Sequence, residues 1–311
     1  MWHENDLDEN ELTLKLEPRS SLVTNPFNML TALELLGAEN YEIDSVTADA
    51  IKADAPLLRE ADKHELSRRF TRILLTRNIS GVMARFPEVF SAIEPELLKA
   101  QRYKERYYDS TLWEHISKSV EFAPPQADIR YAMLFHNVGI PDCRCRDSHG
   151  NTFFYGHGEY GRITAANFFE KYRAELKLRS DTDMLIESHD ISITEDRTAV
   201  KRLLCEYSHE ELKKLIKLRI ADDTAKPTVH EGVIAMYRRT LTMLEDIIAS
   251  GECYSISQLA IKENDLITHR LVANKAQARA VIESLYEAVL AEPSLNVAPI
   301  LLDMVRKSVR R

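Results

Sequence analysis

Glycine is scarce, with nine in 311 residues. Sustained apolar–polar alternation is missing as well, so the chain is not one of strands and tight turns, and helices are expected. Long apolar runs are absent. No window approaches the roughly 18 consecutive apolar residues of a membrane span, and the acidic N-terminal stretch has no apolar core of a signal peptide. Cysteine is sparse: there are four, with only Cys143 and Cys145 close together, which excludes a disulfide framework and points to a reducing, cytoplasmic setting. A surplus of positive charge is also lacking. Lys and Arg number 41 against 49 Asp and Glu, a net charge of −8, so any nucleic-acid contact needs a local basic face. There are no repeats, low-complexity tracts or coiled-coil heptads. What remains is an ordinary globular composition, 44% hydrophobic and 29% charged, long enough for one large or two medium domains.

Helix signals occupy most of that length. Residues 1–24 read as an irregular acidic lead-in. Asn25-Pro26 predicts a helix start, with Met29, Leu30, Leu33 and Leu36 on one face and Gly37 as its stop. A second helix is expected from Ser45 to Lys52, and Asp62-x-x-Glu65 predicts a capping box opening a third, Lys63 to Arg77. Arg68, Arg69, Arg72 and Arg77 crowd that helix as either a solvated face or a phosphate-binding one. Ser110 is the expected cap of a helix bearing Trp113, His115, Ile116 and Val120. Ala127 to Val138 is apolar nearly all round, which predicts a buried helix ended by Gly139 and Pro141. One hairpin is expected, Arg144–Arg146 with Thr152–Tyr155, turning at Asp147–Asn151. Helices resume at Gly158–Leu176, Thr182–Ser188, Asp196–Tyr207, Ser208–Asp222 and Val229–Ser250; a turn at Glu263–Leu266 then precedes a helix over Lys275–Leu290. The expected fold class is all-α with one short hairpin, in regions 25–108, 109–250 and 251–311.

Histidine carries the chemistry. His115, His136 and His157 recur at 21-residue intervals, His189-Asp190 follows, and Asp222 lies near the end of an expected helix. Imidazoles and a carboxylate gathered from several helices suit a borderline or hard divalent metal. Cys143-x-Cys145 with His149 is an incomplete zinc set. The bland reading of each histidine alone is a hydrogen-bonded core residue.

Leu112-Trp-Glu-His115, Leu134-Phe-His136-Asn137-Val-Gly-Ile-Pro141 and Phe154-Tyr-Gly-His157 resemble the HD-superfamily domain in the body of bacterial CCA-adding tRNA nucleotidyltransferases. Asn25 to Leu33, Ile43-Asp44 and Ala53 to Leu58 are similar to that family's helical neck. Ser257 to Ile261, Asn264 to Leu266 and the Val281 to Leu290 helix are similar to its tail. The resemblance implies an HD core with neck and tail over Asn25 to Arg306. It also implies metal ligands at His115, His136, Asn137 and Asp222, and His157 and His189 for a second ion; Asn137 and Asp222 would hold the catalytic positions. The family carries Asp where this chain has Asn137, and Lys where it has Ile140. Loss of a unit charge beside a divalent ion weakens the site, since that charge is worth about 4 kcal/mol at an effective dielectric of 20.

The family's nucleotidyltransferase head is expected to be missing, and its base-reading Glu-Asp-x-x-Arg is replaced by Thr24-Asn25-x-x-Asn28. CCA addition is therefore not expected. Two functions follow from the resemblance. One is a weakened metal-dependent phosphohydrolase acting on a nucleotide or RNA phosphate, with a divalent metal as cofactor. The other is a non-catalytic RNA-binding or interaction protein. The expected partners are a phosphate-bearing small molecule or RNA, tRNA among them, and no membrane. The family's Pro-Gly-rich tail turn reads Leu271 to Arg279 here, without glycine, which argues against close backbone approach to RNA.

Overall fold

The computed structural model describes residues 12–14, 24–38, 41–104 and 111–309. The fold is all-α: among these residues there are sixteen α-helices, and β structure is two pairs of short strands and an isolated bridge between Lys104 and Thr111. One pair is the expected hairpin, Cys145–Arg146 antiparallel to Thr152–Phe153. The other pairs Leu12–Leu14 in parallel with Tyr41–Ile43. The rest of the acidic lead-in up to residue 23 lies outside the described residues.

The chain folds as two compact units. The first runs to Ile191 and takes in Lys217–Glu231; the second comprises Ser192–Ile216 and Gly232–Arg311.

In the first unit the helices are Phe27–Gly37, Ser45–Asp54, Lys63–Leu74, Ile79–Arg85, Pro87–Ile93, Leu97–Arg102, Leu112–Phe122, Ala127–Phe135, His157–Lys171 and Leu176–Glu187. Their starts are chemically marked. Asp44 accepts from the Thr47 amide at 3.0 Å and Asp62 from the Glu65 amide at 2.8 Å. The expected Asp62–Glu65 capping box is only half formed, because the Glu65 carboxylate goes to Arg68 and Arg69 instead. Arg72 pairs with Glu34 at 3.2 Å. Three of the four crowded arginines are thus in ion pairs, which favours the solvated-face reading of this helix.

Several boundaries differ from the sequence reading. Gly37 lies inside its helix rather than beyond it: a Cβ there would meet the Thr76 side chain at 2.2 Å, so close approach explains the residue and helix stopping does not. Ser110 is outside the described residues; Thr111 caps the Leu112–Phe122 helix and forms a full capping box with Glu114. The buried helix stops at Phe135, three residues short of Val138. The expected turn at Glu263–Leu266 is a short helix, Glu263–Thr268.

The core of the first unit is aromatic. Phe70 packs its ring 5.5 Å from Phe90 and 5.7 Å from Phe168, while Phe168 lies 4.7 Å from Tyr172 and 5.4 Å from Phe135. The Tyr131 hydroxyl, fully buried, meets the Thr71 hydroxyl at 2.9 Å. Phe135, held in this cluster, immediately precedes His136 and fixes where it stands.

The second unit contains Arg197–Glu206, the first half of His209–Ala225, most of Glu231–Ser250, Lys275–Ala291 and Ala298–Val309. Its core gathers Leu266, Ile282, Leu285, Val289, Leu301 and Val305. Lys201, 1% exposed, donates to the Leu290 carbonyl at 3.0 Å and pairs with Glu252, so its buried charge is matched. No helix among the described residues is long and apolar enough to cross a membrane.

Candidate metal centre

His115 sits in the second turn of the Leu112–Phe122 helix. Trp113, Ile116 and Val120 bury that helix, and the Trp113 indole donates to the Met83 carbonyl at 3.0 Å, which fixes the rotation that turns His115 inward. His136 caps the C-terminal end of Ala127–Phe135, and Asn137 follows it. His157 opens the His157–Lys171 helix after Gly156, whose φ is 82°. His189 stands just past Leu176–Glu187, and Asp222 lies on the last turns of His209–Ala225. Two glycines allow these segments to meet. A Cβ on Gly161 would lie 2.3 Å from the Phe135 carbonyl oxygen, and one on Gly158 would lie 2.9 Å from Cε1 of His189.

The six expected residues come together, in two groups. In the first, Nε2 of His115 and Nε2 of His136 each lie 3.1 Å from Oδ1 of Asp222. The Asn137 amide nitrogen is 2.7 Å from Nε2 of His136 and 3.3 Å from that of His115. In the second, Nε2 of His157 and His189 are 3.1 Å apart, and Oδ2 of Asp190 is 3.6 and 3.3 Å from them. The groups adjoin, with the His136 and His189 ring centroids 5.6 Å apart. Asp190 completes the second group; of the neighbouring carboxylates, Asp142 instead pairs with Lys99, and Asp223 with Lys226.

The donor atoms fit a divalent ion. Nδ1 of His136, His157 and His189 lies 2.8, 2.8 and 2.6 Å from the carbonyls of Met133, Phe154 and Ile186. A carbonyl only accepts, so each Nδ1 carries a proton, and Nε2 is the atom each ring turns toward the site. Two Nε2 atoms therefore meet each other in the second group and a carboxylate oxygen in the first, the donor types that a divalent cation takes. In each group one donor atom per residue lies within 4.8 Å of the others. The 3.1 Å separations are short enough for one ion to reach both atoms of each pair.

Electrostatics favours the donor form of two of these groups. Burial alone would raise the Asp222 carboxyl, but hydrogen bonds from His115 and His136 outweigh it and hold the group well below the usual carboxylate range. Burial, and then the neighbouring His136, lower the His189 imidazole to about 4 in spite of Asp190.

A cavity of about 240 Å³ opens onto both groups. Tyr103, Leu112, Ile140 and Phe154 supply an apolar wall, while Arg219 and Lys226 bring positive charge to the polar floor. Arg219 donates to the His189 carbonyl at 3.0 Å and lies 3.6 Å from Asp190; Lys226 is 3.4 Å from Asp222. Burial would lower the Lys226 ammonium, but Asp222 and Asp223 more than offset it, so it stays charged. The sequence reading does not include these two cations. Their signal is spacing: Arg219, Asp222, Asp223 and Lys226 fall three or four apart, over the last turns of His209–Ala225 and the residue that follows it. Cys143, Cys145 and His149 do not form a metal-capable group among the described residues, and Cys145 is exposed on the hairpin.

No family model matches the chain, and no curated protein matches it. A solved structure does. The crystal structure of the Bacillus stearothermophilus CCA-adding enzyme in complex with CTP matches with a TM-score of 0.54 and 14% identity, over 96% of this chain and 67% of that one. At that identity the likeness is one of fold, and it runs through nearly all of this chain.

Proposed function

We propose that the protein is an HD-type, metal-dependent phosphohydrolase acting on a nucleotide or RNA phosphate, and that it does not add CCA. The observation that carries this reading is the gathering of four imidazoles and two carboxylates into two adjoining groups, bordered by a cavity that His115, His157, Asp190, Asp222 and the two cations line. His115, His136, Asp222 and Asn137 would hold one divalent ion, and His157, His189 and Asp190 a second. Bound there, such an ion supplies a Lewis acid that acidifies water and neutralises phosphate.

The chain's own residues do the rest. Met133, Phe154 and Ile186 hold three rings in the tautomer that offers Nε2. Asp222 stays ionised, and Arg219 and Lys226 stand where a phosphate dianion needs countercharge. Ile140, in place of the family's lysine, leaves phosphate recognition to these two and gives the cavity an apolar side for the leaving group. Thr24, Asn25 and Asn28 offer none of the charged groups that read an incoming base in the enzymes this chain resembles.

Asn137 favours the alternative, a non-catalytic RNA-binding or interaction protein, because an amide there brings no charge to the ion. Elemental analysis of purified protein, with assays on nucleoside monophosphates, decides between them. Bound divalent metal and turnover, both lost in His136→Ala, are expected. Protein free of metal and inert with added manganese, zinc or magnesium would overturn the hydrolase reading.

A further inference from the structure

The hairpin beside the cavity has two unlike faces. Phe153 and Tyr155 stack with ring centroids 5.8 Å apart and planes 17° from parallel, and both lie open to water, at 38% and 78% exposure. Phe154, between them in sequence, lines the cavity instead. A soluble surface gains nothing from an exposed, pre-stacked aromatic pair, and two strands of two residues do not need it for their ladder.

Charge in the hairpin runs against that of the whole chain. Arg144 and Arg146 are exposed and in no ion pair among the described residues. The one acid in the turn, Asp147, is occupied by the turn itself: it accepts from the amides of His149 and Asn151, each at 2.8 Å, and from the Asn151 side chain at 2.9 Å. Nearby acids are also committed, Asp142 to Lys99 and Glu159 to Arg162. In a chain of net charge −8, the hairpin is a local cationic patch with a ready stacking surface. Aromatic rings that accept bases, combined with cations that follow a phosphate backbone, are the features by which unpaired nucleic acid is held.

We infer that the Phe153–Tyr155 stack, flanked by Arg144 and Arg146, is a docking platform for an unpaired polynucleotide end, which Phe154, between the two rings in sequence, directs toward the phosphate-handling cavity. Only the last clause rests on the proposed hydrolase. Docking stands or falls separately, so it is measured in EDTA, without turnover.

Fluorescence anisotropy with labelled octa-adenylate, as RNA and as DNA, and with the same sequence annealed into a duplex tests the platform. Wild type should bind the single strands at least about tenfold more tightly than the duplex. Phe153→Ala/Tyr155→Ala should lose about tenfold or more, and Tyr155→Phe should restore most of it, because stacking needs the ring and not the hydroxyl. Arg144→Ala/Arg146→Ala should lower the slope of log affinity against log salt by about 1.4, the loss of two phosphate contacts on a single strand. Unchanged thermal melts in these surface variants show that the fold is intact. No binding by wild type, equal binding of duplex, or an unaffected Phe153→Ala/Tyr155→Ala would overturn the inference. Self-association that Tyr155→Ala abolishes, without oligonucleotide binding, would assign the face to protein contact and overturn it equally. A metal-free or inactive protein that still binds single strands would sink the hydrolase reading and leave the platform standing.

Discussion

The two histidine groups use the same chemistry in different surroundings. In the first, His115, His136 and Asp222 are 6%, 1% and 7% exposed. In the second, the Asp190 side chain is 64% exposed and His157 is only partly covered. Two unit charges about 4 Å apart attract by about 4 kcal/mol at an effective dielectric of 20 but by about 1 kcal/mol in water. On the proposed reading, the buried group would hold an ion the more tightly, and the open one would exchange it and meet substrate. That contrast also locates the defect, because Asn137 is neutral in the group where a charge would count most.

The largest effect is expected from His136→Ala. It should empty the buried group and lower phosphatase activity by about 100-fold or more. It should also destabilise the fold by about 3 kcal/mol, since Asp222 loses a partner inside. Elemental analysis and thermal melting check both, and Asp222→Asn added to His136→Ala should recover stability without metal. Greater metal loss from His189→Ala than from His136→Ala would reverse the assignment of the tight group.

Next comes Asn137→Asp. Recovering even ~1.4 kcal/mol raises metal affinity tenfold, which titration calorimetry resolves. Activity should rise with it. Unchanged affinity with strong wild-type activity would mean that Asp190 already supplies the needed carboxylate.

Gly158→Ala addresses the open group alone. Its methyl would stand 2.9 Å from the His189 ring, which must shift. A fall of roughly threefold to tenfold in affinity for the weaker ion is expected, with the tighter ion unaffected. Equal weakening of both would show that the groups act as one.

Lys226→Met should have the smallest effect, roughly a fivefold rise in KM for a phosphomonoester with kcat nearly constant. A fall in kcat alone would instead place Lys226 in the chemical step.

Much of this is legible in the sequence because caps and histidines are local signals. Asp44, Asp62, Asp196 and Asn274 each cap a helix that begins close to where the residue pattern places it. What escapes depends on non-local packing. The helices Ile79–Arg85, Pro87–Ile93 and Leu97–Arg102 are two turns or less, too short for a 3.6-residue period to stand out. The final helix, Ala298–Val309, is missing from the sequence reading although Pro299 in its first turn announces it. In the site, His189-Asp190 reads as one motif but divides its work, one side chain buried and the other open. Arg219 and Lys226 look like solvated helix charges until the fold brings the cavity beside them.

The first unit is interrupted in sequence: it stops at Ile191 and resumes at Lys217, on the helix that carries Asp222. On a ribosome the four histidines leave the exit tunnel well before Asp222, the carboxylate that His115 and His136 share. Nascent chains ending before residue 217 have the rings but neither Asp222 nor the two cations. They are exposed to adventitious metals without the group that sets the buried site's charge. Under the proposed metal reading, the buried group is complete only once the chain has passed Asp222, and growing chains halted at Ile191 and beyond Glu231 should differ sharply in the zinc they retain.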